Sequence, residues 1–131
     1  MSVWSPQALA AIAAAGELEI AARRADGTAK GFVPIWVVTV GGAVYVRSWH
    51  RRDTGWFGAA VASKRAQVRV PGVTAEVEIA DAGVGSDETR RVVDDAYRAK
   101  YGQAGAESMV TDAVAATTLR LEVSSSAPSA P

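Results

Sequence analysis

Apolar positions along the chain follow two periods. In "ELEIAAR" (17–23), Leu18 and Ile20 alternate with Glu17 and Glu19, the spacing of a half-buried strand. "AQVRV" (66–70) and "TAEVEIA" (74–80) alternate in the same way on either side of a Pro71-Gly72 turn. Val68, Val70, Val77 and Ile79 take one side, and Arg69, Glu76 and Glu78 the other. "FVPIWVVTV" (32–40) is almost continuously apolar and β-branched, which predicts burial on both faces. Pro34 lacks an N–H and so places that end at a sheet edge or a bulge. Gly41-Gly42 is a two-residue hairpin signal, and "AVYVRS" (43–48) is the return strand. "ATTLRLEV" (116–123) reads as a final strand.

The second period is helical. Ser5 is a candidate N-cap and Pro6 suits the first helical position. An Ala-rich run follows, with Leu9, Ile12 and Ala13 on one face and Gly16 as the stop. "DTGWFGAAVASK" (53–64) reads as a short helix headed by Asp53. "SDETRRVVDDAYRAKYG" (86–102) is amphipathic: Val92, Val93, Ala96 and Tyr97 form its stripe, Ser86 or Asp87 its cap, and Gly102 its end. The order is thus a helix, about five antiparallel strands, a helix and a last strand. Every tight connection is a hairpin turn, and no βαβ unit or GxGxxG loop interrupts them. This predicts a mainly β (α+β) fold: a small antiparallel split β-barrel of about six strands with flanking helices. Residues 1–123 form one domain, opened by a helix within 1–16. "SSSAPSAP" (124–131) is a tail too poor in apolar surface to order itself.

Composition narrows the chemistry. At 131 residues and 49% hydrophobic, one domain with a substantial core is expected. Lys+Arg 14 against Asp+Glu 14 leaves no overall field to recruit nucleic acid or an anionic membrane. The absence of cysteine excludes disulfides, thiolate metal sites and cysteine catalysis, and a single histidine, His50, builds no metal centre. The start "MSVWSPQALAAIAAAGE" is apolar but lacks a basic leader region and is shorter than the roughly 20 residues that span a bilayer, so a cytoplasmic protein is expected.

"YVRSWHRRDTGWF" (45–57) departs from this even picture. It gathers Arg47, Arg51, Arg52, the only histidine, and two of the four tryptophans. Guanidinium groups match phosphate oxygens in bidentate geometry, and the Ser48 hydroxyl adds a donor. The start of helix 53–64 supplies backbone N–H groups. Trp49 or Trp56 can stack on a planar ring. The plainer reading is a solvated basic loop beside two core tryptophans. Elsewhere, Asp94 and Asp95 point to different faces of their helix and make poor paired carboxylates. Arg98 and Lys100, beside Tyr97 and Tyr101, read as a solvated helix edge. Arg23 or Arg24, next to Asp26-Gly27, offers a second basic wall.

The run from Arg23 to Val70 resembles the barrel of the flavin-binding split barrels. These are the pyridoxamine-phosphate-oxidase-like proteins, with the deazaflavin-dependent nitroreductase-like reductases among them. The matching residues are Arg24, Gly27, Pro34, Gly41-Gly42, Ser48 and Trp56-Phe57. "AYRAKYG" and "TTLRLEV" resemble the helix and last strand of a small uncharacterised bacterial branch, so the similarity spans about residues 17–123. The resemblance implies a homodimer with two equivalent sites at the subunit interface. It implies FMN or a deazaflavin as cofactor, with the phosphate against Ser48, Arg51 and Arg52, joined by Arg47 and Trp49, and the ring along the barrel wall near Trp36. Many members carry small residues where this chain has Trp49 and His50. The function implied is a flavin- or deazaflavin-binding oxidoreductase acting on a small organic substrate. The alternative is a cofactor-free enzyme, or a non-redox protein binding an anionic small molecule, on the same barrel.

Overall fold

The computed structural model describes residues 4–23, 28, 31–47, 55–82, 87–102 and 106–123, with 55–58 and 113 described by their backbone alone. Its elements are α1 (Pro6–Ala14), β1 (Leu18–Ala22), β2 (Val33–Ile35), β3 (Val37–Val40), β4 (Ala43–Val46), α2 (Gly55–Ser63), β5 (Arg65–Val70), β6 (Val73–Asp81), α3 (Asp87–Tyr101), a 3-10 turn (Glu107–Met109), α4 (Asp112–Ala115) and β7 (Leu119–Val123). The seven strands form one antiparallel sheet in the order β2-β1-β5-β6-β7-β4-β3.

That order closes the barrel. β2 and β3 stand at opposite ends of the sheet, yet only Trp36 separates them in the chain. The apolar run 32–40, expected as one strand, therefore serves two edges. Its first half pairs with β1, Leu18 opposite Ile35, and its second half with β4, Val37 opposite Val46. This accounts for seven strands where about six were expected. Pro34 sits in β2, at the edge its missing N–H requires.

Alternation then sorts the side chains into two cores. Leu18, Ile20, Val37, Val44, Val46, Val68, Val77, Ile79, Leu119 and Leu121 point inward from six strands and fill the barrel with Ile12 of α1 and Ala60 of α2. Trp4 joins this core, and its indole N–H donates to the Leu121 carbonyl at 2.9 Å, which gives a buried Trp its polar partner. On α1 and its C-cap the packed residues are Ala8, Leu9, Ala11, Ile12 and Ala15, whereas Ala13, expected on this face, is exposed. The second core lies outside the barrel wall. Val38 and Tyr45 pack there beneath Val93 and Tyr97 of α3 and Met109. β3 is thus covered on both sides, as its almost continuously apolar run predicted.

The caps follow local chemistry. The Ser5 hydroxyl accepts from the Ala8 N–H, and Pro6 opens α1. Gly102 ends α3 at φ +82°, a conformation that costs glycine little. Among the described residues no helix is long and apolar enough to cross a membrane.

Candidate functional site

The β3–β4 ladder ends at Val37 opposite Val46. The next residues outward, Trp36 and Arg47, leave the ladder side by side, and both turn away from the barrel interior because side chains alternate along a strand. Two of the residues expected at the site are thereby brought together. Ser48, Trp49, Arg51 and Arg52 lie outside the described residues, as do His50, Arg24 and the Asp53 cap, and nothing is described of the Trp56 ring.

Arg47 is not a surface cation. Its side chain is fully buried. Nη1 donates to Asp94 Oδ1 at 2.5 Å and to the Met109 carbonyl at 2.8 Å, and Nε donates to Thr118 Oγ1 at 2.8 Å. The guanidinium also lies over the Tyr97 ring, 5.6 Å from its centroid. Nη2 is buried and has no partner among the described residues. Asp94 is held in turn by Arg90 at 3.6 Å, and Arg90 reaches Asp112 at 2.7 Å. The expected split between Asp94 and Asp95 holds: Asp94 is buried, while Asp95 is exposed and meets Arg98 at 3.2 Å. The role of Asp94 as the partner of Arg47 was not legible, because the two stand 47 residues apart.

Trp36 is half-buried and stacks on Tyr101, with ring centroids 4.1 Å apart and planes within 2°. Its carbonyl accepts from the Tyr97 hydroxyl at 3.3 Å. Tyr97 and Tyr101 face each other at 6.0 Å. Asp94, Tyr97 and Tyr101 recur at i, i+3 and i+7 on α3, one helical face, so this helix holds both Arg47 and Trp36. The solvated edge expected for Lys100 is corrected here. Its ammonium donates to the Val37 carbonyl at 2.8 Å and to the Ile12 carbonyl at 3.2 Å, tying α3 to β3 and α1. Arg23, one of the two candidates for the second basic wall, pairs with Glu76 at 2.7 Å. Among the described residues no group of three His, Cys, Asp or Glu side chains gathers as metal ligands.

Burial sets the titration of this cluster. It raises the Tyr97 hydroxyl far above its ordinary range and raises Tyr101 less, while it lowers Lys100. A phenol raised on folding contributes stability that is fully present below about pH 10 and is lost as pH rises through its folded value. Lys100 acts in the opposite sense: it releases its proton earlier when folded, so stability gains slightly as pH approaches the ordinary lysine value. Tyr97 is fully buried and its shift is the large one, whereas Tyr101 and Lys100 are both only partly buried. The melting temperature should therefore hold to about pH 10 and fall above it. Tyr97→Phe should flatten that fall, and a profile from pH 8 to 11.5 that is equally steep in the variant would refute the assignment.

Residues 8–121 match the bacterial family described as an uncharacterized protein conserved in bacteria (DUF2255). This chain belongs to the DUF2255 family. No curated protein matches it by sequence. Solved structures share the fold of this DUF2255 protein. A conserved hypothetical protein from Mycobacterium tuberculosis has a TM-score of 0.59 at 13% identity, over 96% of this chain and 83% of that one. A protein described as FAD-binding, from Mesorhizobium loti, has a TM-score of 0.58 at 13% identity, over 94% and 90%. A heme binding protein from Mycobacterium smegmatis has a TM-score of 0.56 at 16% identity, over 88% of this chain and 48% of that one. The fold these structures share with this chain is a split barrel, the fold class expected from the sequence.

Proposed function

We propose that this DUF2255 protein is a flavin- or deazaflavin-binding oxidoreductase acting on a small organic substrate, working as a cytoplasmic homodimer. The observation that carries the reading is the end of the β3–β4 ladder. There a half-buried flat ring, Trp36, stands beside the residue from which the chain runs on into Ser48, Trp49, Arg51 and Arg52. A phosphate-bearing planar cofactor wants those two features in one place. In this reading Ser48, Arg51 and Arg52 hold the phosphate, and Trp36 meets the ring. Arg47 anchors the strand exit beneath α3, and its buried donor Nη2 has no partner among the described residues, which fits an acceptor arriving with the ligand. When bound, FMN or a deazaflavin supplies the hydride chemistry, and the protein supplies orientation and electrostatics. The FAD-binding description of the Mesorhizobium loti structure supports this choice. The heme-binding relative on the same fold makes the choice of ligand a matter for the site rather than the barrel.

The test is a titration of purified protein with FMN, a deazaflavin and haem, read by absorption and fluorescence, with the particle mass taken by light scattering. Saturable FMN or deazaflavin binding to a dimer is expected. Haem binding alone, or binding of simple anions without any flavin, would transfer the site to another function.

A further inference from the structure

Trp36 is the one residue of 33–40 that has no partner in the β-ladders. Its neighbours on either side are fixed, Ile35 to β1 and Val37 to β4, but at the break between strands the backbone alone does not set the ring. Two tyrosines of α3 do so instead. Tyr97 takes the Trp36 carbonyl, and Tyr101 lies flat against the indole. Tyr101 is itself pinned at its far end. Its hydroxyl donates to the Gly16 carbonyl at 2.8 Å and accepts from the Val37 N–H at 3.0 Å. The Lys100 ammonium sits 5.3 Å from its ring. Aromatic pairs usually settle offset or edge to face. This pair lies nearly parallel at close range, and both rings are half-buried, so a flat and firmly held aromatic surface remains in part open to solvent.

We infer that Tyr101 is a positioning residue that holds the Trp36 ring as a platform for a planar ligand ring. The inference rests on the proposed flavin or deazaflavin reading and adds to it the residue that preorganises the ring end of the site. A platform fixed before binding spares the ligand the cost of ordering it.

The experiment compares lumiflavin, which is the ring without a phosphate tail, with FMN, for the unaltered protein, Tyr101→Leu and Tyr101→Phe. Tail-free and tail-bearing deazaflavins are run in the same way. Tyr101→Leu should weaken lumiflavin and FMN by the same factor, about tenfold, the scale of one lost ring stack. Tyr101→Phe keeps the ring and should bind both within about twofold of the unaltered protein. Both variants lose the hydroxyl's bonds, so melting temperature does not sort them, whereas ring binding does. Unchanged lumiflavin affinity in Tyr101→Leu would overturn the inference, as would Tyr101→Phe binding as weakly as Tyr101→Leu. Should Tyr101→Leu fail to fold, Tyr101→Met takes its place with the same two outcomes. An unaltered protein that binds no flavin or deazaflavin at all would instead remove the functional reading beneath the inference.

Discussion

Replacing Asp94 with Ala is expected to destabilise the protein by about 3–5 kcal/mol, because it leaves a buried guanidinium without its counter-charge. Arg47 would keep neutral acceptors, Thr118 Oγ1 and the Met109 carbonyl, but no carboxylate. Arg90 does not share this fate, since it retains Asp112 at the surface. For a domain whose whole stability is on the order of 5–15 kcal/mol, such a loss is large. Asp94→Asn, which preserves an acceptor for Nη1, should cost less. A double replacement, Arg47→Met with Asp94→Leu, should recover most of the loss, since an apolar pair carries no desolvation penalty. Urea unfolding measures all three. A loss below about 1 kcal/mol in Asp94→Ala would mean that the Arg47 charge is balanced elsewhere.

The second large effect is on binding. Under the proposed function, Arg51→Ala with Arg52→Ala removes two charge-assisted contacts to the cofactor phosphate, each worth roughly 1.5–3 kcal/mol. FMN affinity should fall about 100-fold or more, and the deficit should be greatest at low salt, where charge contacts are least screened. Lumiflavin has no phosphate and should bind as before. Exposed charges contribute little to folding, so the unfolding free energy should shift by only about 0.5 kcal/mol. An FMN affinity that does not move would return the stretch to a solvated basic loop.

Most of the barrel was legible because its strands alternate. Val68, Val70, Val77 and Ile79 fall inside as their spacing demands, and α3 runs within one residue of its amphipathic stretch. The break at Trp36 was not legible. A strand that leaves one neighbour and joins another keeps its apolar pattern throughout, and only the long-range pairing reveals the change of partner. The turn at Glu107–Met109 and helix α4 were missed for a different reason. Each is shorter than one helical repeat of hydrophobic pattern, and the only local signal is Thr111, whose hydroxyl caps α4 by accepting from the Val114 N–H at 3.3 Å. At the site, sequence pattern singled out Arg47 and the family resemblance added Trp36, but Arg47 was cast as a ligand contact at a strand exit. Its partners Asp94, Thr118 and Met109 come from distant segments, so no local spacing announces that the guanidinium is buried beneath α3.

The seam within residues 33–40 also restricts how copies of this chain can associate. Among the described residues the sheet's outermost strands are β2, three residues long and carrying a proline, and β3, four residues long. An incoming strand would find too few unpaired amides on either margin to extend the ladder into a second molecule. Such short outer strands favour self-association through side-chain surfaces on the barrel wall or the helices over cross-chain strand exchange of the kind that seeds fibrils.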